Sequence, residues 1–237
     1  MKDEERKDND FQPCSFLICF IFHPSAFYFM MDEASHSMGT IYIICASVLW
    51  GVVHSLLASH AVKDALRRVV GPLAFDRLYR FSYNLFSLAS FFPIIAILYS
   101  FPDQPLYSIP SPWVYLTAVI QGLAAIALIA AVMQTGPFEF AGLTQLTEVG
   151  EGKPAELITG GLYAAVRHPL YTGTLILIWL VPDMTVNRLT LFAVLTIYIL
   201  VGAWFEERKL LKDFGPAYAD YQAKTPMLIP KIVNRQS

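Results

Sequence analysis

Residues 113–133, W-V-Y-L-T-A-V-I-Q-G-L-A-A-I-A-L-I-A-A-V-M, run for 21 positions without a Lys, Arg, Asp or Glu. An α-helix rises about 1.5 Å per residue and the hydrocarbon core of a bilayer is about 30 Å thick, so about 20 such residues make one crossing. The same reading extends outward along the chain. Thr40 to Ser59 carries no charge and one strongly polar side chain, His54, and Phe81 to Pro102 gives 22 uncharged residues. Ile158 to Val181 is interrupted by Arg167 and His168, which leaves Leu170 to Val181 too short to cross unless its flanks are buried in protein. Leu189 to Phe205 gives 17 uncharged residues and stops at Glu206. These runs predict an all-α, polytopic integral membrane protein with about five transmembrane helices. The last two form a hairpin around P-D-M-T-V-N-R, followed by an interfacial tail.

Composition agrees. Of 237 residues, 55% are hydrophobic and 15% charged, against about 25% charged in an ordinary soluble domain, and the mean hydropathy is +0.48. That excludes a soluble enzyme. With 17 Lys and Arg against 19 Asp and Glu the formal charge is -2, so no overall positive field gathers nucleic acid, and no nucleic-acid partner is expected. Cys14, Cys19 and Cys45 form no C-x-x-C pair and have no histidines at ligand spacing; neither a disulfide framework nor a metal site is expected.

Basic residues set the orientation, because short cytoplasmic loops retain Lys and Arg. Lys63, Arg67, Arg68, Arg77 and Arg80 lie between the first two runs, none lies between the second and third, and Arg208, Lys209, Lys212, Lys224, Lys231 and Arg235 follow Glu206. The N-terminus is expected outside and the C-terminus in the cytoplasm, in the inner membrane of a bacterium. The chain divides into an extension at 1–38, three transmembrane helices over 39–134, and a cofactor-binding loop, hairpin and tail over 135–237. The extension begins with mixed charges, and its apolar run Phe16 to Phe22 is cut by His23-Pro24. It is read as poorly ordered, with Met31 or Met38 offering a native start.

Chemistry gathers where the hairpin closes. Its two arms are antiparallel, so Arg167 and His168 at the start of one meet Glu206 and Glu207 at the end of the other. Pro169 suits the first position of a helix, where its missing N–H is no loss. The free N–H groups beside a guanidinium then suit a carboxylate or phosphate. The glutamates sit at the unfavourable pole of their helix and suit a cation. Tyr163, Tyr171 and Trp204 offer aromatic faces to such a cation. A ligand negative at one end and positive at the other answers both, and S-adenosylmethionine has that charge pattern. The alternative is bland: a positive-inside boundary and a solvated helix end. After Glu207, R-K-L-L-K-D-F-G-P-A-Y-A-D-Y-Q-A-K-T-P reads as two short helices broken at Gly215-Pro216. They either anchor the tail or close over a ligand.

The stretch G-G-L-Y-A-A-V-R-H-P-L-Y-T-G, then E-E-R-K-L-L-K-D-F-G-P-A-Y-A-D-Y and P-M-L-I-P, covering 157–230, resembles the isoprenylcysteine carboxyl methyltransferase family and its phospholipid methyltransferase relatives. H-S-L-L-A-S, the basic loop and R-L-Y-R-F-S-Y-N-L resemble NnrU-type membrane proteins. M-T-V-N-R-L-T-L-F and F-E-F-A-G-L-T-Q-L are similar to bacterial thiol S-methyltransferases. The resemblance implies a membrane-embedded methyltransferase with S-adenosylmethionine at the cytoplasmic face and a lipophilic or small-molecule methyl acceptor entering from the lipid side, membrane lipids being its surroundings. Tyr163, Arg167, His168, Pro169, Tyr171 and Gly173 match the first motif; Glu206, Glu207, Phe214, Gly215, Tyr218 and Tyr221 match the second. By that resemblance Arg167 and His168 hold the cofactor and one glutamate contacts its polar end or the acceptor. Ala164 and Ala165 replace the pair commonly seen in the first motif, removing a basic residue.

Methyl transfer from a sulfonium needs no proton on its leaving group, so positioning supplies most of the catalysis. A carboxylate acceptor needs no base. A thiol or amine does, and His168 or a buried glutamate is the expected one. His54 and Asn84, near the cytoplasmic ends of the first two spans, are candidate acceptor-pocket residues, or interhelical hydrogen-bond groups. Two other classes stay open: an NADPH-dependent membrane reductase, since sterol-reductase-like proteins share R-H-P-x-Y and an E-E tail, and a non-enzymatic NnrU-type protein.

Overall fold

The computed structural model describes residues 24–147 and 156–230. Its helices are α1 (Pro24–Ala58), α2 (His60–Val70), α3 (Pro72–Ser100), α4 (Trp113–Gln134), α5 (Pro137–Ala141), α6 (Thr144–Thr147), α7 (Leu162–Ala165), α8 (Pro169–Trp179), α9 (Val186–Phe214) and α10 (Pro216–Lys224). Two short strands, β1 (Pro105–Ser108) and β2 (Asp183–Thr185), pair antiparallel.

Among the described residues four helices are long and apolar enough to span a membrane: Ser37–Ala58 within α1, α3, α4 and α9. The fifth expected span is shorter, as α8 has 11 residues. The extension expected at 1–38 is helical in its second part, because α1 begins at Pro24; the remainder of that expectation lies outside the described residues. The second span starts at Pro72, nine residues before the uncharged run. Gly71 at φ +85 and Pro72 at the first helical position end one helix and begin the next, and the charged turns that follow ride outside the apolar run.

Apolar side chains on these helices face outward: Leu49, Leu88, Ile126 and Ile197 are each more than 60% exposed. In water that surface would be costly, whereas in lipid it is the contact surface. The interior is correspondingly small. Ile43, Ile94, Leu98 and Leu191 form its buried cluster where α1, α3 and α9 meet. Alongside lies a second unit, α4 packed on α8. Gly173 makes that packing possible, since a Cβ there would lie 2.7 Å from Cγ of Leu128, and Gln121 Nε2 donates to the Leu177 carbonyl at 2.9 Å.

The short α8 still reaches the far end of the hairpin. From Val186 to Glu207, α9 climbs about 32 Å at about 1.5 Å per residue. The α8 helix covers about 15 Å, and the six residues after Trp179, partly extended at up to about 3.3 Å each, can make up the difference. The β1–β2 pair fastens that end, with Asp103 Oδ1 accepting from the Asn187 N–H at 3.0 Å.

At the opposite end the segment 137–142 is strapped onto α3. Arg80 donates to the Glu139 carbonyl at 2.9 Å and Asn84 to the Phe140 carbonyl at 2.8 Å. Gly142 closes the strap at φ +81, where a Cβ would come within 2.5 Å of the Phe81 nitrogen. Gly142→Ala therefore meets both an unfavourable φ and a backbone clash. It is expected to cost about 1–3 kcal/mol, read as a lower unfolding temperature in detergent. Gly122→Ala, whose Cβ meets nothing within 4 Å, is expected to leave that temperature unchanged or raise it.

Candidate functional site

The hairpin brings Arg167 and His168 to Glu206 and Glu207, as antiparallel arms require. The R-H-P triplet opens α8, with His168 as its N-cap residue and Pro169 first in the helix. The tail then folds back over this point. The backbone N–H groups of Arg167 and His168 donate to the carbonyls of Pro226 and Met227 at 2.9 and 3.1 Å, and Thr172 Oγ1 donates to the Leu228 carbonyl at 2.7 Å. The P-M-L-I-P segment thus becomes an added rung beside the start of α8.

The two glutamates have different work. Glu207 is the inner one, and its Oε1 lies 2.6 Å from both Nε and NH2 of Arg167 and 3.1 Å from His168 Nε2. Its Oε2 accepts from Gln222 Nε2 at 2.7 Å. The Arg167 and Glu207 side chains are only 9% and 11% exposed. The remaining Arg167 nitrogen, NH1, donates to the carbonyls of Gln222 and Thr225. Of five N–H donors in the guanidinium, at most one is left over. Arg167 is therefore a clasp joining α8, α9 and the tail, and its charge is already paired before any ligand arrives.

Glu206 is the outer one. Its carboxylate takes the Tyr171 hydroxyl at 2.7 Å and lies 3.7 Å from His168 Nδ1, with its side chain 43% exposed. The His168 and Tyr171 rings stack with centroids 5.3 Å apart. Glu206 faces a cavity of about 390 Å³ whose wall includes Thr135, Phe140, Glu156, Leu157, Tyr163, Arg167, His168, Pro169, Tyr171, Leu210, Phe214, Tyr218 and Tyr221. Gly173 lies behind this wall against Leu128, and Trp204 turns away, carrying the Arg208 guanidinium 4.6 Å above its ring.

Three tyrosines complete the cavity. Tyr221 donates to the Tyr163 carbonyl at 2.5 Å. Tyr218 is 1% exposed, and its hydroxyl lies beside the Arg167 guanidinium with no acceptor for its own proton. Burial, reinforced by Glu207 and opposed by Arg167, pushes the Tyr218 hydroxyl up to about 12, so it is a protonated donor at neutral pH. Burial also raises Tyr163, with Glu206 adding to the effect.

His54 and Asn84 separate. His54 sits among aromatic rings of α1, α3 and α9, stacked on Trp50 at 4.8 Å with Nε2 2.7 Å from the Tyr83 hydroxyl, and does not line the cavity. Asn84 lines a second, smaller cavity of about 250 Å³ together with Ala58, Lys63, Tyr79, Arg80, Tyr83 and Phe140. Gln222, Glu156 and Phe140 escape the sequence reading. Glu156 sits four residues before the first motif, Phe140 lies in F-E-F-A-G-L-T-Q-L with nothing in its residue type to single it out, and Gln222 sits one residue past the quoted second motif.

These features define a class: a polytopic α-helical membrane protein whose basic end carries an acid-lined cavity closed by its own tail. The chain belongs to the NnrU protein family, whose pattern matches residues 42–233. It is 31% identical over 204 residues to methanethiol S-methyltransferase 1 of Bradyrhizobium diazoefficiens, covering 84% of this chain and 69% of that protein. It is 32% identical over 198 residues to methanethiol S-methyltransferase 2 of the same organism, covering 79% and 72%. A methanethiol S-methyltransferase of a Pseudomonas species is 37% identical over 144 residues, covering 58% of this chain and 55% of that one. No solved structure matches.

Proposed function

We propose that this protein is a membrane methyltransferase that carries the methyl group of S-adenosylmethionine to a small thiol, with the cavity at the cytoplasmic face. The observation that supports it best is the charge balance of the cavity. Arg167 and Glu207 neutralise each other, so the wall is left with Glu206 and Glu156 as exposed charges, and a Tyr218 hydroxyl whose proton has no acceptor. A ligand with a positive centre and a hydrogen-bond acceptor fits that set, and S-adenosylmethionine supplies both along with a transferable methyl group. A dinucleotide bearing several phosphates would meet carboxylates instead of cations, which disfavours the reductase reading. The names borne by the relatives support methyl transfer and a thiol acceptor.

In this reading Glu206 faces the positive end of the donor, Tyr218 its acceptor atoms, and Tyr163 and Tyr171 flank it. Arg167, Glu207 and Gln222 hold the tail closed and keep water out. Detergent-purified protein is expected to retain radiolabelled S-adenosylmethionine and to pass its label to methanethiol. Retention without transfer to any thiol would refute the acceptor, and absence of retention would refute the whole reading.

A further inference from the structure

The second cavity lies beside the first. Among the described residues Phe140 alone lines both, with half its surface exposed. Its place is fixed from behind, because Asn84 and Arg80 hold the carbonyls of residues 140 and 139 and Gly142 locks the strap against α3. The cavity itself is aromatic and cationic. Lys63 Nζ stands 5.8 Å from the centre of the Tyr79 ring, and the charges that act on it are Arg80 from α3 and Lys209 from α9. Among the described residues no carboxylate pairs with Lys63, Arg80 or Lys209. Burial, then Lys209 and Arg80, lower the Lys63 ammonium below its usual value, as expected of cations crowded without an anion.

We infer that this second cavity is the acceptor site, which takes a small thiol as its thiolate against Lys63 and presents it to the donor cavity across Phe140. The inference rests on the methyl-transfer reading above. The thiol chemistry follows from the surroundings. A thiolate is the nucleophile, and nearby cations favour it over the thiol, whereas the acid-lined donor cavity would oppose it. An apolar substituent suits the faces of Tyr79, Tyr83 and Phe140. In the transfer the S–H proton leaves to water at the cavity mouth. The sulfur's electron pair then forms the new S–C bond, and the pair of the breaking C–S bond goes to the donor's sulfur. Phe140 is the partition that the acceptor must pass, so its size sets which thiols are methylated. Asn84 and Arg80, which line the same cavity, also fix Phe140 through the strap.

The test uses the full chain in detergent. Lys63→Met is expected to raise KM for methanethiol about tenfold, the scale of one partly buried charge. Lys63→Arg is expected to keep KM near the parent's, and retention of S-adenosylmethionine is expected to stay unchanged in both. A readout independent of turnover is the ultraviolet absorption of ethanethiolate added to the protein. It should appear at a lower pH in the presence of the parent protein than in buffer, and lose that displacement with Lys63→Met. Phe140→Ala should extend methylation to longer thiols such as hexanethiol. An unchanged KM and an unchanged thiolate signal in Lys63→Met, with donor still bound, would overturn the inference. Failure of the parent to retain donor would strike the underlying reading instead.

Discussion

Arg167→Ala is expected to abolish retention of S-adenosylmethionine, with a loss of at least about 100-fold. The reason is not a lost salt bridge to the ligand. The guanidinium joins Glu207 on α9 to the carbonyls of Gln222 and Thr225 in the tail, and its removal leaves the Glu207 carboxylate buried with Gln222 and His168 only. Breaking one side of a buried ion pair costs about 3–5 kcal/mol, and about 1.4 kcal/mol is a factor of ten. The tail would release, and with it Tyr218 and Tyr221, which wall the cavity. Arg167→Lys keeps the charge but not the fork that reaches one carboxylate and two carbonyls together, so it should recover only part of the loss. Equilibrium dialysis with radiolabelled donor measures the affinity, and limited proteolysis after residue 214 reports the tail. A double variant, Arg167→Ala with Glu207→Ala, separates the two effects. It should regain some thermal stability, since no charge is left buried, while donor retention stays lost. Normal retention in the single variant would remove the clasp from the account.

Much of this arrangement is legible in the sequence. Uncharged runs give the crossings, and antiparallel arms of one hairpin bring Arg167 to Glu207 whatever the details of packing. Pro169 and the Gly215-Pro216 break announce their own helix boundaries. The partners of Arg167 were less accessible, because two of them are main-chain carbonyls, which every residue has. The division between Glu206 and Glu207 was hidden for another reason. Adjacent helical positions differ by about 100° in direction, so the pair cannot share one direction, and which of them points inward depends on where α8 and the tail lie. The second cavity was still less accessible. Lys63, Arg80, Asn84 and Phe140 come from three separate segments, and only the strap at Gly142 brings Phe140 between the two sites. His54 and Asn84 have similar sequence credentials, polar groups near the end of a span, and the fold separates them. Tyr83 takes the His54 imidazole into the aromatic core, and the Phe140 carbonyl engages Asn84 beside the second cavity.

Glu206→Gln should behave unlike Arg167→Ala, and the contrast tests what the outer glutamate does. Its carboxylate is tied to Tyr171, a bond that Gln can replace, so the fold should hold and the melting temperature should stay near the parent's. What disappears is the negative charge facing the cavity. A fully buried charge contact is worth about 2–5 kcal/mol. With the Glu206 side chain 43% exposed, water screens part of that, and a loss of about tenfold in donor affinity is expected. S-adenosylhomocysteine lacks the sulfonium charge and should lose less. The effect on turnover decides between two roles. When a thiolate attacks a sulfonium, both charges fade toward the transition state, so an anion beside the donor stabilises the ground state at least as much. Removing it should therefore raise KM for the donor and leave kcat within a few-fold of the parent, or slightly above it. A general base would give the opposite pattern: unchanged donor affinity with kcat down by about 100-fold or more, restored as pH rises and the thiol ionises in solution. Steady-state kinetics of Glu206→Gln between pH 6 and about 9, with donor affinity measured separately, gives one pattern or the other. The first pattern is the expected one, because the cations suited to a thiolate line the second cavity, which Glu206 does not.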